Sequence, residues 1–507
     1  MISLFIFVGC DFSNQNKVIN ITIIEIGAET RAKVSVGVNV KQALEFAGIT
    51  LNPLDKTEPS GTTILSENTT IRIIRVREEF LVEESILPFE QQTVKNESLP
   101  EGQSILIQAG TNGTLQTIYR ILSEDGVESS RSFVNSEVTQ PAKPEIVMLG
   151  VQSPYTSQSI PGVIAYITSS NAWVMDGSSG NRRPVVSTGD LDGRIFSISP
   201  DREWLLFSRS STIENEINTL WVVNLKEQTP EPIYTNIKNV VHYADWVPGK
   251  TRTISYSTVE PVLTPPGWQA NNDLHLFRYD EKGKALETKT IVETNSGGIY
   301  GWWGTIFEWS VDGSKIAYSR PDSIGLVDIE KGLLNPIIKL ATFQTSSDWA
   351  WVPSIKWSED GQALYTILLP ESPGSSQNPA LSVIIFPEKI AVDLIANCGL
   401  FCNPTPSMGV SNGRFIVGFL SAILPDQSET SRYNLKIMDR DGSNQKKLYP
   451  GEGIQGLTPQ SLRWSPSFQS DFLLAFIAQG NLLLVDTISG SIKTLTGDGS
   501  ISKIDWK

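Results

Sequence analysis

Six aromatic residues in the middle of this chain are its best candidates for ligand binding: Trp268, Tyr300, Trp302, Trp303, Trp349 and Trp351. A flat aromatic ring can stack on a sugar ring or hold a peptide, and it supplies a large contact area. These residues belong to long segments between predicted strands, where ligand contacts usually lie. We therefore predict an aromatic, acidic-rimmed ligand patch. In the alternative interpretation, Trp303 and Trp351 pack beneath the loops as core residues.

Residues suited to catalysis or metal binding are few. The 507 residues include two histidines and three cysteines, and they contain no G-x-S-x-G motif. Asp245, Glu308 and Asp505 stand beside tryptophans at corresponding positions, and a glycosidase needs two acids across a pocket, but the sequence assigns these three no roles. We expect no catalytic residue, no metal and no cofactor. The formal net charge of -14 also makes nucleic acid an unfavourable partner, because phosphate would be repelled.

The first residues carry an export motif. An apolar run ends at Phe7-Val8-Gly9-Cys10, which resembles a bacterial lipobox, although Phe7 replaces the usual leucine and no Lys or Arg precedes the run. We expect residues 1–17 to be an export signal with a lipidated Cys10 and a tether. The resemblance implies an extracytoplasmic protein, anchored in the membrane by lipid, at the cell surface or in the periplasm. An ordinary or truncated export signal and a cytosolic hydrophobic terminus are the alternatives.

The two remaining cysteines, Cys398 and Cys402, are close enough in sequence to form a disulfide in a loop of an oxidising compartment. Two unpaired thiols are the alternative. With no histidine nearby, the pair is a poor zinc site.

Residues 18–76 predict a small α+β domain. The stretch Val18 to Ile26 alternates as a strand does, Val40 to Gly48 has helical spacing with glycine at the end, and Thr70 to Val76 predicts a closing strand. The segment from Ala47 to Lys56 resembles the small ubiquitin-like repeats of bacterial cell-wall-associated proteins, including relatives of resuscitation-promoting factors.

Residues 77–150 predict an all-β domain. A period-two run from Thr114 to Ile121 is followed by the turn Glu124-Asp125-Gly126 and a second strand. Five glycines punctuate the region: Gly102, Gly110, Gly113, Gly126 and Gly150. Their order resembles the elongated "G-five" domain of bacterial surface proteins and cell-wall enzymes. The resemblance implies binding of N-acetylglucosamine-containing glycans or a spacer role, and the scarcity of aromatic residues favours the spacer.

After a linker at 151–162, two kinds of strand alternate over residues 163–507. One kind is apolar and ends in a charged turn, as Leu482 to Asp486 does. The other kind carries an anchor residue followed by a turn, and the anchors are Ile198, Trp246, Trp309, Trp357, Val410, Trp464 and Trp506. The repeat resembles the TolB-type β-propeller, which implies seven blades, or six if two repeats merge. Trp506 has no turn of its own, so we predict that its strand closes the ring onto the strand beginning at Val163.

The resemblance also implies roles within the blades. We expect the anchor tryptophans to pack as core between blades, and Asp-Gly pairs such as Asp312-Gly313 to be hairpin turns rather than calcium ligands. We therefore predict a mainly β, non-enzymatic cell-envelope binding or scaffold protein whose long loops hold a cell-wall glycan, a peptide or an envelope protein. The alternative is a propeller-based carbohydrate-active enzyme, a glycosidase or lyase.

Overall fold

The computed structural model describes residues 17–96, 102–150, 157–343, 349–369, 378–407, 409, 415–466, 472–497 and 499–507. The predicted lipidation site Cys10 and the predicted anchor Val410 lie outside them. The chain divides into two compact units, which are Met1–Glu90 with Gly110–Lys143 and Gln91–Ala109 with Pro144–Lys507.

The first unit begins with a four-stranded sheet and one helix. The elements are β1 (Val18–Glu25), β2 (Ala28–Ser35), α1 (Val40–Phe46), β3 (Lys56–Glu58) and β4 (Thr69–Ile74). The sheet order is β2-β1-β4-β3, with β1 parallel to β4. Asn39 caps α1 through a reciprocal bond with Gln42, and the helix buries Val40, Ala43 and Leu44 against the sheet. The predicted strand pair, short helix and closing strand are confirmed.

The described residues from 76 to 150 form strands and no helix, as predicted. The strands are β5 (Val76–Leu87), β6 (Gln91–Asn96), β7 (Ser104–Gln108), β8 (Gly113–Glu124), β9 (Val127–Gln140) and β10 (Glu145–Gly150). Strands β5, β8 and β9 form a sheet of the first unit, and β8 and β9 meet at the predicted Glu124-Asp125-Gly126 turn, where Asp125 and Gly126 have positive φ. Strands β6, β10 and β7 form a separate sheet of the second unit.

Seven four-stranded antiparallel sheets follow, as in a β-propeller. We number them sheets 1 to 7. The first three contain β11 (Ser159–Thr168), β12 (Asn171–Ser178), β13 (Arg182–Val186) and β40 (Ile501–Trp506); β14 (Leu191–Ile198), β15 (Trp204–Ser210), β16 (Asn218–Asn224) and β17 (Ile233–Lys238); and β18 (Ala244–Trp246), β19 (Thr253–Tyr256), β22 (Leu274–Tyr279) and β23 (Ala285–Val292). A hairpin of β20 (Val259–Pro261) and β21 (Trp268–Ala270) is inserted in sheet 3.

Sheets 4 to 7 repeat the same order. They contain β24 (Ile306–Trp309), β25 (Ile316–Arg320), β26 (Ser323–Asp328) and β27 (Leu333–Lys339); β28 (Ile355–Trp357), β29 (Ala363–Leu368), β30 (Ala380–Ile385) and β31 (Ile390–Ile395); β32 (Thr405–Pro406), β33 (Ile416–Ala422), β34 (Tyr433–Asp439) and β35 (Lys446–Tyr449); and β36 (Arg463–Trp464), β37 (Leu473–Ala478), β38 (Asn481–Asp486) and β39 (Ile492–Thr494). A 3-10 turn, Pro425–Gln427, lies between β33 and β34.

Strand β40 pairs with β11, so the end of the chain completes sheet 1. Trp506 lies opposite Ile164 and Ile504 lies opposite Tyr166. Strand β11 begins at Ser159, before the predicted start at Val163, because a bulge between these two residues lets the strand continue past Pro161.

The anchor tryptophans are buried between sheets, as predicted. Trp246, Trp309, Trp357, Trp464 and Trp506 are each at most 9% exposed. The indole N–H groups of Trp246 and Trp357 donate to the backbone oxygens of Ser197 and Glu308 in the preceding sheets, at 3.0 and 3.2 Å. Each of these rings therefore fills core space and also joins two neighbouring sheets.

The predicted Asp-Gly turns are confirmed as hairpin chemistry. Asp312 accepts hydrogen bonds from the Ser310 hydroxyl at 2.6 Å and from the Ser314 backbone N–H at 3.0 Å. These bonds lower the pKa of Asp312 to about 2. The Asp312 carboxylate is thus held by hydrogen bonds within its own turn.

Candidate ligand-binding site

Three connections of the second unit bring aromatic residues together. His242 lies between β17 and β18, Trp268 lies in the β20–β21 hairpin, and Trp302 and Trp303 lie between β23 and β24. In an antiparallel four-stranded sheet, the turn between the second and third strands and the exit of the fourth strand are at the same end. The topology therefore delivers these residues to one end of sheets 3 and 4.

We call Trp268, Trp302, Trp303 and His242 the aromatic cluster. The Trp268 and Trp303 ring centroids are 5.4 Å apart, and those of Trp302 and Trp303 are 5.8 Å apart with nearly perpendicular planes. The His242 ring lies 5.7 Å from both Trp268 and Trp303. All three tryptophans are half-buried. Packing of the rings on one another fixes their orientation, while part of each indole stays exposed to solvent.

Asn272 holds this cluster in place. Its side chain is fully buried, and its amide donates to the backbone oxygens of Ala270, Asn295 and Gly301 at 3.3, 3.3 and 2.9 Å. Its oxygen accepts from the Thr305 hydroxyl at 2.7 Å. A backbone bond from Ala270 to the Trp302 oxygen, 3.0 Å long, adds to this link. The hairpin and the connection after β23 are thus joined directly beneath the tryptophans.

A cation completes the cluster. The Arg194 guanidinium of β14 lies 4.9 Å from the Trp268 ring centroid, within cation–π distance, and Asp192 lies 3.8 Å from its Nε. Burial and the charge of Arg194 lower the pKa of His242 to about 3, so the imidazole is neutral at physiological pH. Among the described residues, His242 Nε2 has no hydrogen-bond partner. The ring packs against Gly304, where a Cβ atom would lie 2.4 Å from His242 Cδ2.

Trp349 and Trp351 form a second group, with the core of sheet 5. Trp351 is 2% exposed and its indole N–H donates to the Leu400 oxygen at 3.0 Å. The half-buried Trp349 packs on Phe401, with 6.0 Å between ring centroids. Trp351 is therefore a core residue, as the alternative interpretation of the sequence expects, whereas Trp303 remains partly exposed.

The remaining predicted residues also have defined places. Cys398 and Cys402 form a disulfide that encloses Leu400 and Phe401, so the bridge braces the loop on which Trp349 and Trp351 pack. Tyr300 has positive φ, and its backbone oxygen accepts from the Trp303 N–H at 3.0 Å. Tyr300 thus shapes the turn that presents Trp303.

Sequence reasoning missed Arg194, His242 and Asn272. His242 lies in the segment just before the anchor Trp246, as Trp302 and Trp303 lie in the segment just before Trp309. This shared position could have identified His242 as a candidate. No comparable signal marked Arg194, which reaches Trp268 only through the packing of different sheets.

The three acids beside the anchors are all hydrogen-bonded to residues of neighbouring sheets. Ser197 donates to Asp245 at 2.8 Å. The other two acids form ion pairs, Lys356 with Glu308 at 2.5 Å and Arg463 with Asp505 at 2.6 Å.

The pKa values of two of these acids shift in opposite directions. Burial raises the pKa of Glu308 despite Lys356. For Asp505, burial favours a higher pKa, but Arg463 and the Ile198 N–H outweigh it and lower the pKa. The acids therefore link adjacent inner strands.

Neither metal clusters nor membrane helices occur in the part of the chain that the structure describes. Its His, Cys, Asp and Glu side chains form no group of three or more able to hold a metal ion. None of its helices has the length and apolar character needed to cross a bilayer.

Comparison with known proteins identifies one domain. Residues 78–152 match the family model of the G5 domain, which confirms the predicted glycine-signature domain. Resuscitation-promoting factor Rpf2 of Corynebacterium glutamicum is 25% identical over 142 residues, covering 28% of this chain and 38% of that protein. Resuscitation-promoting factor RpfB of Mycolicibacterium smegmatis is 25% identical over 114 residues, covering 22% and 32%. The matched segment thus spans about a third of each relative's length.

The second unit has solved structural neighbours. TolB from Acinetobacter baumannii is 14% identical, covering 75% of this chain and 98% of that chain with a TM-score of 0.37.

Proposed function

We propose that this protein is a non-enzymatic cell-envelope binding protein that holds a saccharide on the aromatic cluster. The observation that carries the proposal is the arrangement of Trp268, Trp302 and Trp303, whose half-buried rings pack on one another, Trp302 edge to face with Trp303 and Trp268 tilted against Trp303. Indole faces that stay partly exposed offer surfaces on which a sugar ring can stack. Arg194 beside Trp268 adds a hydrogen-bond donor for sugar hydroxyl groups.

A place at the cell envelope is supported by the G5 match at 78–152 and by the similarity to two resuscitation-promoting factors. We infer that the protein is exported and anchored by lipid on Cys10, at the cell surface or in the periplasm. Cys10→Ser should move the protein from the membrane fraction to the soluble fraction. Retention of the variant in the membrane fraction would refute the lipid anchor.

We further infer that sheets 1 to 7 are the blades of a ring sealed by β40, and that residues 18–76 form a ubiquitin-like domain. The seven successive sheets and the pairing of β40 with β11 support the ring. The parallel β1–β4 pair connected through α1 supports the ubiquitin-like domain. In a closed ring, the connections that carry the aromatic cluster would share one face.

Binding to purified peptidoglycan tests the saccharide. Trp268→Ala with Trp302→Ala should weaken binding roughly 30-fold, because losing central aromatic contacts costs about 2 kcal/mol or more. Trp221→Ala is the matched control, since Trp221 is also half-buried and also contacts an arginine and an aromatic ring, Arg209 at 4.5 Å and Tyr234 at 5.1 Å, but lies outside the cluster. Equal binding by the double variant and the wild type would refute the proposal.

Two other functions would give different experimental results. Capture of an envelope protein, lost in the same double variant while peptidoglycan binding is absent, would show that the ligand is a peptide or protein. Glycosidase or lyase activity is favoured only by the raised pKa of Glu308, a property that general acids share. Release of soluble sugars from peptidoglycan, abolished by Glu308→Gln, would establish the enzyme.

A further inference from the structure

A cleft of about 420 Å³ lies where sheets 6 and 7 meet the start of β40. Its wall includes the connection between β35 and β36, the turn between β37 and β38, and the first residues of β40. Gln460 holds that connection in place, because its side chain exchanges two hydrogen bonds with the Ile477 backbone, each 2.7 Å long. The described wall contains no residue of the aromatic cluster, so the cleft is separate from the proposed saccharide site.

Arg432 is the only charged residue among the described residues that line this cleft. Its side chain is exposed and forms neither an ion pair nor a hydrogen bond with any described residue. The connection after β35 packs against its base, since a Cβ atom on Gly456 would lie 3.0 Å from Arg432 Cβ, and Tyr433 exchanges backbone hydrogen bonds with Leu457. The backbone of Arg432 is therefore fixed, and no carboxylate in the described wall neutralises its charge.

Tyr449 is the second group that lacks a partner in this cleft. Its residue is 5% exposed, and its ring packs on Phe476 with 5.1 Å between centroids. Its hydroxyl forms no hydrogen bond within the described part of the chain, but it is not sealed from solvent as the unpartnered hydroxyls of Tyr279 and Tyr318 are. Burial raises the pKa of Tyr449, so the hydroxyl stays protonated and can donate. Because polar groups on buried side chains are nearly always hydrogen-bonded, this donor is suited to a ligand.

The remaining polar side chains of the wall are neutral. Gln455 and Gln479 are exposed, and their amides have no hydrogen-bond partner among the residues that the structure describes. Each amide can both donate and accept, so it can bind a peptide group or a sugar hydroxyl. The volume of the cleft also lies in the range of roughly 300–1,000 Å³ that small-molecule sites occupy. The cleft therefore combines one cation with neutral donors and acceptors.

We propose that this cleft binds the carboxylate of a small polar ligand, the C-terminus of a peptide or an acidic sugar. Arg432 and Tyr449 donate to the carboxylate, and the two glutamine amides bind the polar groups next to it. The planar fork of arginine matches a carboxylate, and such charge-assisted hydrogen bonds are the strong ones. A single cation neutralises a carboxylate, whereas a doubly charged phosphate would stay negative in a chain whose formal net charge is -14.

Ligand-observed NMR titration of the full chain tests the proposal. The acids are N-acetyl-alanyl-alanine and glucuronate, each paired with a neutral counterpart, the C-terminal amide of the same peptide and glucose. Arg432→Gln should weaken binding of the responding acid about tenfold or more, and Tyr449→Phe should weaken it about fivefold, because these variants remove a charged and a neutral hydrogen bond.

Two matched variants are the controls. Arg278→Gln removes an exposed cation of sheet 3, and Tyr279→Phe removes a hydroxyl that also lacks a partner among the described residues but is sealed from solvent. Both should bind the acid within about twofold of the wild type. Thermal melting of each variant verifies that it is folded.

The pattern of responses assigns the ligand. Binding of the peptide acid alone assigns a peptide C-terminus, binding of glucuronate alone assigns an acidic sugar, and binding of both assigns carboxylates in general. The proposal is overturned if neither acid binds more tightly than about 10 mM, or if the neutral counterparts bind as well as the acids. A response to inorganic phosphate alone, or an equal loss of affinity in Arg278→Gln and Arg432→Gln, would also overturn it.

Discussion

Replacing Asn272 with alanine should loosen the aromatic cluster and lower the stability of the second unit. This side chain joins the β20–β21 hairpin to the connection after β23, directly beneath Trp268 and Trp302. It is fully buried, so water cannot substitute for the bonds it makes. The substitution removes these bonds without adding volume, and it leaves every aromatic ring of the cluster in the sequence.

The expected loss of unfolding free energy follows from the individual hydrogen bonds of Asn272. The two bonds at 3.3 Å contribute little, whereas those to the Gly301 oxygen at 2.9 Å and from the Thr305 hydroxyl at 2.7 Å are well formed. Leaving those two groups without partners costs about 1–1.5 kcal/mol each. Asn272 also has a φ of 52°, and alanine in this left-handed region costs about 1 kcal/mol more. The free energy of unfolding should therefore fall by about 3–4 kcal/mol.

Denaturant titration measures the stability, and binding to peptidoglycan measures the site. Asn171→Ala is the control, because Asn171 is also buried and hydrogen-bonded, to Gln92, Ser169 and Gly189, but lies outside the cluster. Both variants should lose stability, and only Asn272→Ala should lose affinity. Unchanged affinity in Asn272→Ala would refute its positioning role, and an unchanged free energy of unfolding would refute the energetic reasoning.

Three further perturbations test other parts of the structure. Because the pKa of His242 is lowered to about 3, the unfolded chain binds a proton between pH 6.5 and 3 that the folded chain does not, so the free energy of unfolding of the wild type should fall by about 1.4 kcal/mol for each pH unit of acidification in that window. In His242→Gln this contribution of His242 should be absent, and equal slopes of unfolding free energy against pH in the two proteins would contradict the argument. Trp506→Ala should cost about 3–5 kcal/mol in denaturant titration, since the ring is 3% exposed and donates to the Pro161 oxygen; a loss below about 1 kcal/mol would show that β40 does not seal the core. Replacing both Cys398 and Cys402 with serine should cost about 2 kcal/mol, the entropy of a short closed loop, and an unchanged melting temperature would argue against the disulfide.

The fold was readable from sequence wherever a local pattern dictated a local structure. The run Leu482 to Asp486 is apolar because β38 is buried on both faces, and Trp464 and Trp506 recur because each repeat needs a large wedge between sheets. The Asp312-Gly313 turn was readable because its hydrogen bonds join neighbouring residues. These features can be predicted without knowing which residues far apart in the sequence are in contact.

The candidate site was only partly readable, because its contacts join residues far apart in sequence. Trp302 and Trp303 were identified by type and loop position, but nothing local distinguishes the buried Trp351 from them. Arg194 and Trp268 meet only through the packing of sheets 2 and 3. Aromatic type thus predicted which residues are important in the loops, whereas burial decided which of them remain available to a ligand.

The strands that match the G5 domain were likewise predictable from local pattern, whereas the core that each of them joins was not. The pattern of glycines predicts strands across 77–150, but it carries no information on which core each strand joins. Ile146 and Met148 of β10 are at most 3% exposed and pack in one cluster with Trp173 and Trp506 of sheet 1. Each such buried side chain contributes about 1.5–3 kcal/mol, and Asn171 and Ser187 add hydrogen bonds to Gln92 and Gln108. Strands β6, β7 and β10 are therefore fixed to sheet 1, so part of the segment that matches the G5 domain shares its hydrophobic core with that sheet.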